Sequence, residues 1–339
     1  MTIARMTPPA SRSLIPEAPA SGWSEWQRLP SAETFSPRVL AEILDGGQAF
    51  RWQRTSDVTW LGQFGDGVVR IALTAEGQLA WSSPSSLTAH VGPALVAYLD
   101  LARDSRTLAD TLPWRSDAHL ARCLETFPGL RILRQPFGET LLGFLCSATK
   151  QIVQIKQMVA LLADRHGAPV LPTTADRSSL ANRAAALGDP STLNPQPSTP
   201  FHRLPTWPEL AAVSEAELRA CLLGFRARYI HQTAQFLAAH PGWLAETEAL
   251  PYAAAKDRLC SLPGVGEKVA DCVLLFGAGR LEAFPVDVWI IKTMAARYGL
   301  QGWKPAQIAQ FGRVHFGPLA GLAQQYLFAY ERAAARPPV

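Results

Sequence analysis

The segment LPGVGEKVADC, Leu262 to Cys272, places a lysine at the head of an apolar helical pattern, and a lone carboxylate, Asp287, follows nineteen residues later in FPVDVW. A primary amine can attack an electrophilic carbon, and a fixed negative charge beside it suits a transition state that becomes cationic. Pro263 fixes φ, while Gly264 and Gly266 can take the positive φ of a tight turn, so one helix stops near Leu262 and another restarts near Glu267. In that second helix Val269, Val273 and Phe276 recur at core spacing. Lys268 and Cys272, four residues apart, share a different face, so amine and thiol would line one wall. The hairpin amides at Gly264, Val265 and Gly266 point outward with the unpaired N–H groups of the helix start, a geometry suited to a DNA phosphate. An ordinary αα turn with a solvated lysine is the plainer alternative. Asp287, two residues after Pro285, stands at the N-cap of VWII, where amides and the helix dipole should hold its carboxylate in the charged form; a purely structural cap is the competing reading.

These residues resemble the helix-hairpin-helix DNA glycosylases and, among them, the bifunctional 8-oxoguanine DNA glycosylase/AP lyase branch. Seven segments occur in that family's order: GGQAFRW (Gly46 to Trp52), GLRILRQPF (Gly129 to Phe137), LCSATKQIVQI (Leu145 to Ile155), LGFRARY (Leu223 to Tyr229), LPGVGEKVADC, PVDVW and GPLAGLAQQYLF (Gly317 to Phe328). Together they cover roughly residues 24 to 332. An ordered series is far more specific than any single motif.

The resemblance implies a role for each matching position. Lys268 attacks C1′ of the damaged nucleoside, expels the base and becomes a Schiff base, after which β-elimination of the 3′ phosphate follows; Asp287 stabilises the oxocarbenium-like sugar. Cys272 lies against one face of the extruded base, Phe328 closes the other, Gln324 reads the Watson–Crick edge, and Pro285 belongs to the same slot. Taken alone, a Phe on a C-terminal helix is core more often than pocket. The Gly47 carbonyl would accept the N7 hydrogen that 8-oxoguanine has and guanine lacks; guanine would leave two buried acceptors unpaired, at a cost on the order of 1 to 3 kcal/mol. The expected substrate is duplex DNA carrying 8-oxoguanine, with formamidopyrimidine as a further lesion. Excision of another damaged purine and non-catalytic DNA binding are the alternatives.

The chain departs from the family at several positions. Thr149-Lys150-Gln151 replaces a run of asparagines, and a threonine at 149 cannot make the same bonds in the hole left by the base. Gln154 stands for the second of two arginines that clamp the orphaned cytosine; the first is retained as Arg226. The neighbouring wedge aromatic is Phe225 instead of tyrosine, and Trp289 replaces a histidine that meets a phosphate. A relaxed preference for the opposite base is therefore expected. No redox cofactor or catalytic metal is implied, although the backbone carbonyls of Cys260, Leu262 and Val265 resemble the family's cation-bridged phosphate site.

The 339 residues, 48% hydrophobic and 18% charged, can bury a large core. A net charge of +4 permits nucleic-acid binding without requiring it, and Lys150, Lys156, Arg226, Arg228 and Lys292 are the candidate phosphate contacts. The five cysteines, Cys123, Cys146, Cys221, Cys260 and Cys272, are scattered, which excludes a disulfide framework, a paired zinc motif and the clustered iron–sulfur ligands of the endonuclease III branch. No run approaches the eighteen apolar residues of a membrane span. A monomer with no membrane partner is expected, cytoplasmic or nucleoid-associated in a bacterium and nuclear or organellar in a eukaryote.

Short-period patterning marks strands at Gln48 to Arg54, Val58 to Phe64, Val68 to Leu73 and Gln78 to Ser82, an antiparallel meander. Helical patterns follow over Val91 to Leu101, Phe137 to Ala163, Glu215 to Leu223 and Arg226 to His240. The fold class is α+β: an antiparallel-sheet N-terminal lobe and a mostly α-helical helix-hairpin-helix catalytic lobe. Expected divisions are a disordered tail over 1–22, a β-rich domain over 23–124, a glycosylase domain over 125–334 with a Pro/Ser-rich surface insertion at 171–206, and a tail at 335–339.

Overall fold

The computed structural model describes residues 22–31, 33–171 and 201–335; the rest of the expected tails and insertion lie outside the described residues. Five strands, β1 (Gln27–Arg28), β2 (Trp52–Arg54), β3 (Thr59–Phe64), β4 (Gly67–Leu73) and β5 (Leu79–Ser82), form one antiparallel sheet in the order β1-β5-β4-β3-β2. β3 alternates between buried and half-buried positions, and β4 is buried at every residue except Arg70, which is half-buried. The first expected strand is shorter than predicted, because the backbone before Trp52 turns through Gly47 at φ +104 and Gln48 bonds sideways into another segment.

A helix over Pro37–Asp45 was not anticipated, although Ser36 caps it by accepting from Val39 N and Pro37 opens it. It buries Val39, Leu40, Ile43 and Leu44. The helix expected over Val91 to Leu101 runs from Thr88 to Tyr98, with Asp100 at φ +49 beyond its end.

The helical pattern predicted from Phe137 to Ala163 is two helices, Phe137–Leu145 and Ile152–His166. Between them Thr149 sits at φ +55, and Arg226 takes the Ala148 carbonyl, so backbone that would have continued the helix is bonded elsewhere. The pattern at Glu215 to Leu223 is α-helical only to Leu218; Arg219–Leu223 is a π turn with Leu222 at φ +63. The helix Ala118–Thr126 runs through the expected division at 124/125 and packs on the C-terminal helix Ala320–Ala334. Pro318 lies in a 3-10 turn, Gly317–Leu319, that leads into that last helix. No described helix is long and apolar enough to cross a membrane.

Two devices fix the lysine helix, Glu267–Phe276, in place. Its buried Asp271 accepts from Tyr252 Oη at 2.6 Å and Lys256 Nζ at 3.2 Å, both on the preceding helix Tyr252–Cys260. At the helix end, Gln135 N donates to the Phe276 carbonyl at 2.8 Å while Gln135 Nε2 donates to the Gln48 carbonyl at 2.6 Å. Gln48 in turn bonds Arg131 O and Leu133 N through its side-chain amide, both at 3.0 Å. The 131–135 segment thus ties the Gly47 loop to the lysine helix, each bond contributing about 1 kcal/mol net.

Candidate active site and nucleic-acid interface

Lys268 is half-buried on the first turn of its helix. Its Nζ donates to Ser147 Oγ at 3.3 Å and lies 5.2 Å from the centre of the Phe144 ring. Val269, Val273 and Phe276 face the core as expected. Cys272 is 3% exposed; burial pushes its thiol up to about 11, against the nearby Lys268 charge, which acts in the opposite direction. Amine and thiol therefore do share a wall, and the thiol is protonated at neutral pH.

Asp287 caps the helix Val288–Tyr298, accepting from Trp289 N at 3.0 Å and Ile290 N at 2.9 Å through one oxygen. The amides favour the charged form as expected, but burial opposes them. Desolvation raises the carboxyl above the ordinary aspartate value and outweighs the Ile290 amide, the Lys268 charge and the Trp289 amide, all of which pull it down. Lys268 is near enough to act on Asp287 electrostatically, yet the two form no ion pair within 4.0 Å. A gap therefore separates nucleophile and acid.

Of the expected base-slot residues, Gly47 and Phe328 approach each other. An ideal Cβ on Gly47 would stand 3.9 Å from Phe328 Cε1 and 3.1 Å from Ile152 Cδ1, so glycine at this positive φ permits the close approach. Gln324 is 3% exposed, with Oε1 accepting from Gln325 Nε2 at 2.7 Å, and Phe328 is half-buried with the Arg332 guanidinium 5.3 Å from its ring centre. Pro285 is buried, two residues before Asp287. Two internal cavities, one walled by Arg51, Tyr98 and Glu139 and the other by Arg103 and Arg131, are not lined by Lys268, Cys272 or Asp287.

A second set of predicted residues meets around Arg226. Its guanidinium is buried, donates to Ala148 O, to Thr149 Oγ1 at 3.1 Å and to Leu223 O at 3.2 Å, and stacks 4.4 Å from the Phe225 ring centre. Its buried Nε finds no partner among the described residues. Phe225 is 52% exposed and meets Tyr229 edge to face at 6.1 Å. Lys150 and Gln154 are exposed, and Gln154 Oε1 accepts from Gln151 N at 3.2 Å to cap the helix Ile152–His166.

The hairpin leans on the same group. Gly264, at φ +78, packs so closely on Tyr229 that a Cβ would come within 2.7 Å of the ring. Gly266 does not use a positive φ; it caps the lysine helix at φ −94, and a Cβ there would meet nothing within 4 Å. The Leu262 carbonyl accepts from Val265 N at 3.1 Å and retains one lone pair. The carbonyls of Cys260 and Val265, the other two expected cation donors, belong to the same turn region. Trp289 is half-buried, with Lys292 Nζ 5.6 Å from its ring centre.

Ser147, Phe144 and Ile152 were missed as site residues. All three belong to or adjoin the motif around LCSATKQIVQI, and the signal was the small hydroxyl that ends the helix Phe137–Leu145.

Comparison with known proteins follows the same lines. Residues 32–141 match the family described as 8-oxoguanine DNA glycosylase, N-terminal domain, and residues 190–314 match the HhH-GPD superfamily base excision DNA repair protein. N-glycosylase/DNA lyase OGG1 of Arabidopsis thaliana is 30% identical over 346 aligned residues, covering 98% of this chain and 87% of the relative. N-glycosylase/DNA lyase of Saccharomyces cerevisiae is 29% identical over 79% of this chain and 70% of its own length. The crystal structure of Clostridium acetobutylicum 8-oxoguanine glycosylase/lyase, in complex with double-stranded DNA containing cytosine opposite 8-oxoG, superposes with a TM-score of 0.76 at 27% identity, covering 93% of this chain and all of the other. The sheet-plus-helices fold, the lysine and aspartate on neighbouring helices, and these matches agree: the chain belongs to the 8-oxoguanine DNA glycosylase/lyase family of the HhH-GPD superfamily.

Proposed function

We propose that this protein excises 8-oxoguanine from duplex DNA through a Schiff base on Lys268 and then cleaves the abasic strand. The observation that carries the reading is the setting of the amine: half-buried, held by Ser147 Oγ, with the Cys272 thiol and the Asp287 carboxylate close enough to act on each other electrostatically. The deoxyribose would sit between Lys268 and Asp287. Nζ attacks C1′, the C1′–N9 bond breaks, and its electron pair leaves with the purine, while Asp287 offsets the positive charge that develops on the ring. The attacking amine gives up a proton to the departing purine; the nitrogen lone pair then breaks the C1′–O4′ bond, O4′ taking a proton as the sugar ring opens, and the iminium so formed acidifies the C2′ proton, whose loss expels the 3′ phosphate.

For the purine to stack on Phe328 beside Gly47, the Ile152 side chain must turn away, and the Gln324 amide must exchange Gln325 for the base edge. Both movements are side-chain rotations. Flipping costs a few kcal/mol, offset by stacking and by phosphate contacts to Lys150 and to the hairpin amides of Gly264 and Gly266, that of Val265 being turned inward to Leu262 O. A cation held by the Cys260, Leu262 and Val265 carbonyls would supply a further link to a phosphate. A tested outcome separates this function from DNA binding alone: release of the free base from a duplex containing one 8-oxoguanine, with an undamaged guanine duplex as control. Salt-dependent binding without release from any oxidised purine would reject it.

A further inference from the structure

The π turn Arg219–Leu223 presents Leu222 in a conformation ill suited to it. At φ +63 and ψ +15 its backbone is left-handed, a region that glycine and asparagine enter easily and a γ-branched residue does not. The side chain is 59% exposed, whereas Cys221 and Leu223 on either side are fully buried. The turn is also pinned from outside, because Arg165 Nη1 donates to the Ala220 carbonyl at 2.7 Å. Leu222 is therefore a rigid apolar knob in water, and strain of this kind persists where the surroundings over-determine it.

Other exposed side chains stand on the adjoining elements. Val153, at 57% exposure, lies on the first turn of the helix Ile152–His166, whose last turn meets this π turn through Arg165; Phe225, at 52%, follows Leu222 three residues later. Lys150 and Arg228 are exposed and form no ion pair among the described residues. Phe225 joins the reaction centre through a chain of contacts: Arg226, stacked on it, holds Ala148 and Thr149, and the adjoining Ser147 holds Lys268.

We propose that Leu222 is a second apolar wedge, entering the base stack of the bent duplex beside Phe225. The inference rests on the functional reading above. An apolar side chain inserted between bases unstacks the step and lowers the cost of extrusion. It offers no donor or acceptor to a base edge, so it assists bending without reading sequence.

The test uses Leu222→Gly in the full chain, a duplex with 2-aminopurine beside the 8-oxoguanine, and single-turnover excision opposite each of the four bases. The variant should melt no lower than the parent, since glycine accepts the left-handed backbone. The emission rise on binding should diminish, and excision should slow by about tenfold, by the same factor for all four partners. Leu222→Asn, which tolerates the same backbone, should be equally slow, and Leu222→Met should recover part of the rate. Excision and emission unchanged in Leu222→Gly, or a loss confined to one opposite base, would overturn the wedge. Failure of the parent protein to release the base would instead reject the functional reading.

Discussion

Ser147 Oγ accepts a hydrogen bond from Lys268 Nζ at 3.3 Å, and the next carbonyl along, that of Ala148, accepts from Arg226. One short stretch of backbone thus joins the proposed nucleophile to the Phe225 wedge. The stretch exists because the helix ends at Leu145 and restarts at Ile152. The amine is thus oriented from that loop.

Ser147→Ala should therefore slow base release while leaving duplex affinity almost unchanged. The hydrogen bond is worth about 1 kcal/mol, so a loss of roughly five-fold in single-turnover rate is expected. Equal losses in rate and affinity would mean that Ser147 serves the loop and not the amine.

Asp287→Asn separates cap from charge. Asparagine caps a helix as well as aspartate, so the fold should persist, while excision should fall by about 10² to 10³ as the developing cation loses its counter-charge. The linkage has a definite sign. Burial raises the folded carboxyl above its unfolded value, so ionisation destabilises the fold as pH rises through the window between the two values, and the penalty is complete above it. The variant should melt no lower than the parent at neutral pH, and its advantage should vanish below about pH 4, the ordinary aspartate value. Excision by the parent should fall in acid at a pH above that value. A variant markedly less stable at neutral pH would contradict the buried charge.

Gly47→Ala tests the close approach. A methyl at φ +104 lies 3.1 Å from Ile152 Cδ1, and the strained backbone alone costs on the order of 1 to 2 kcal/mol. Excision should be lost, while nonspecific duplex binding, set by distant cations, should survive. Full activity would remove Gly47 from the slot.

Thr149 adopts φ +55, where a β-branched residue is strained and asparagine is at ease. Thr149→Asn should raise stability by up to about 1 kcal/mol and sharpen the preference for cytosine opposite the lesion, measured as excision rates against the four bases. A parent protein already strictly selective for cytosine would refute the expectation that Thr149 and Gln154 relax that check.

What was legible in the sequence was what local chemistry encodes. Pro263 and Gly264 announce the hairpin, Val269 and Val273 the buried face beside Lys268, and Pro285 to Val288 the cap at Asp287; each is a short-range signal, and each appears in the fold. The alternating strands were equally plain. The break at Thr149 was not, because the apolar spacing runs through it and Arg226, a distant residue, bonds the backbone there. Arg226 itself reads as a surface cation, yet is buried under Phe225. The upward pull on the Asp287 carboxyl was not legible for the same reason: the cap is local, but the desolvation comes from segments packed around it. The helix Pro37–Asp45 is a different case, since Ser36 and Pro37 signal it openly.

Borohydride reduction tests the central claim most directly. The protein is incubated with an 8-oxoguanine duplex, reduced, digested, and the cross-linked peptide sequenced. The account predicts a covalent adduct on the peptide containing Lys268, absent in Lys268→Gln, whose base release should drop by at least about 10³. An adduct on another lysine, or trapping undiminished in Lys268→Gln, would contradict it.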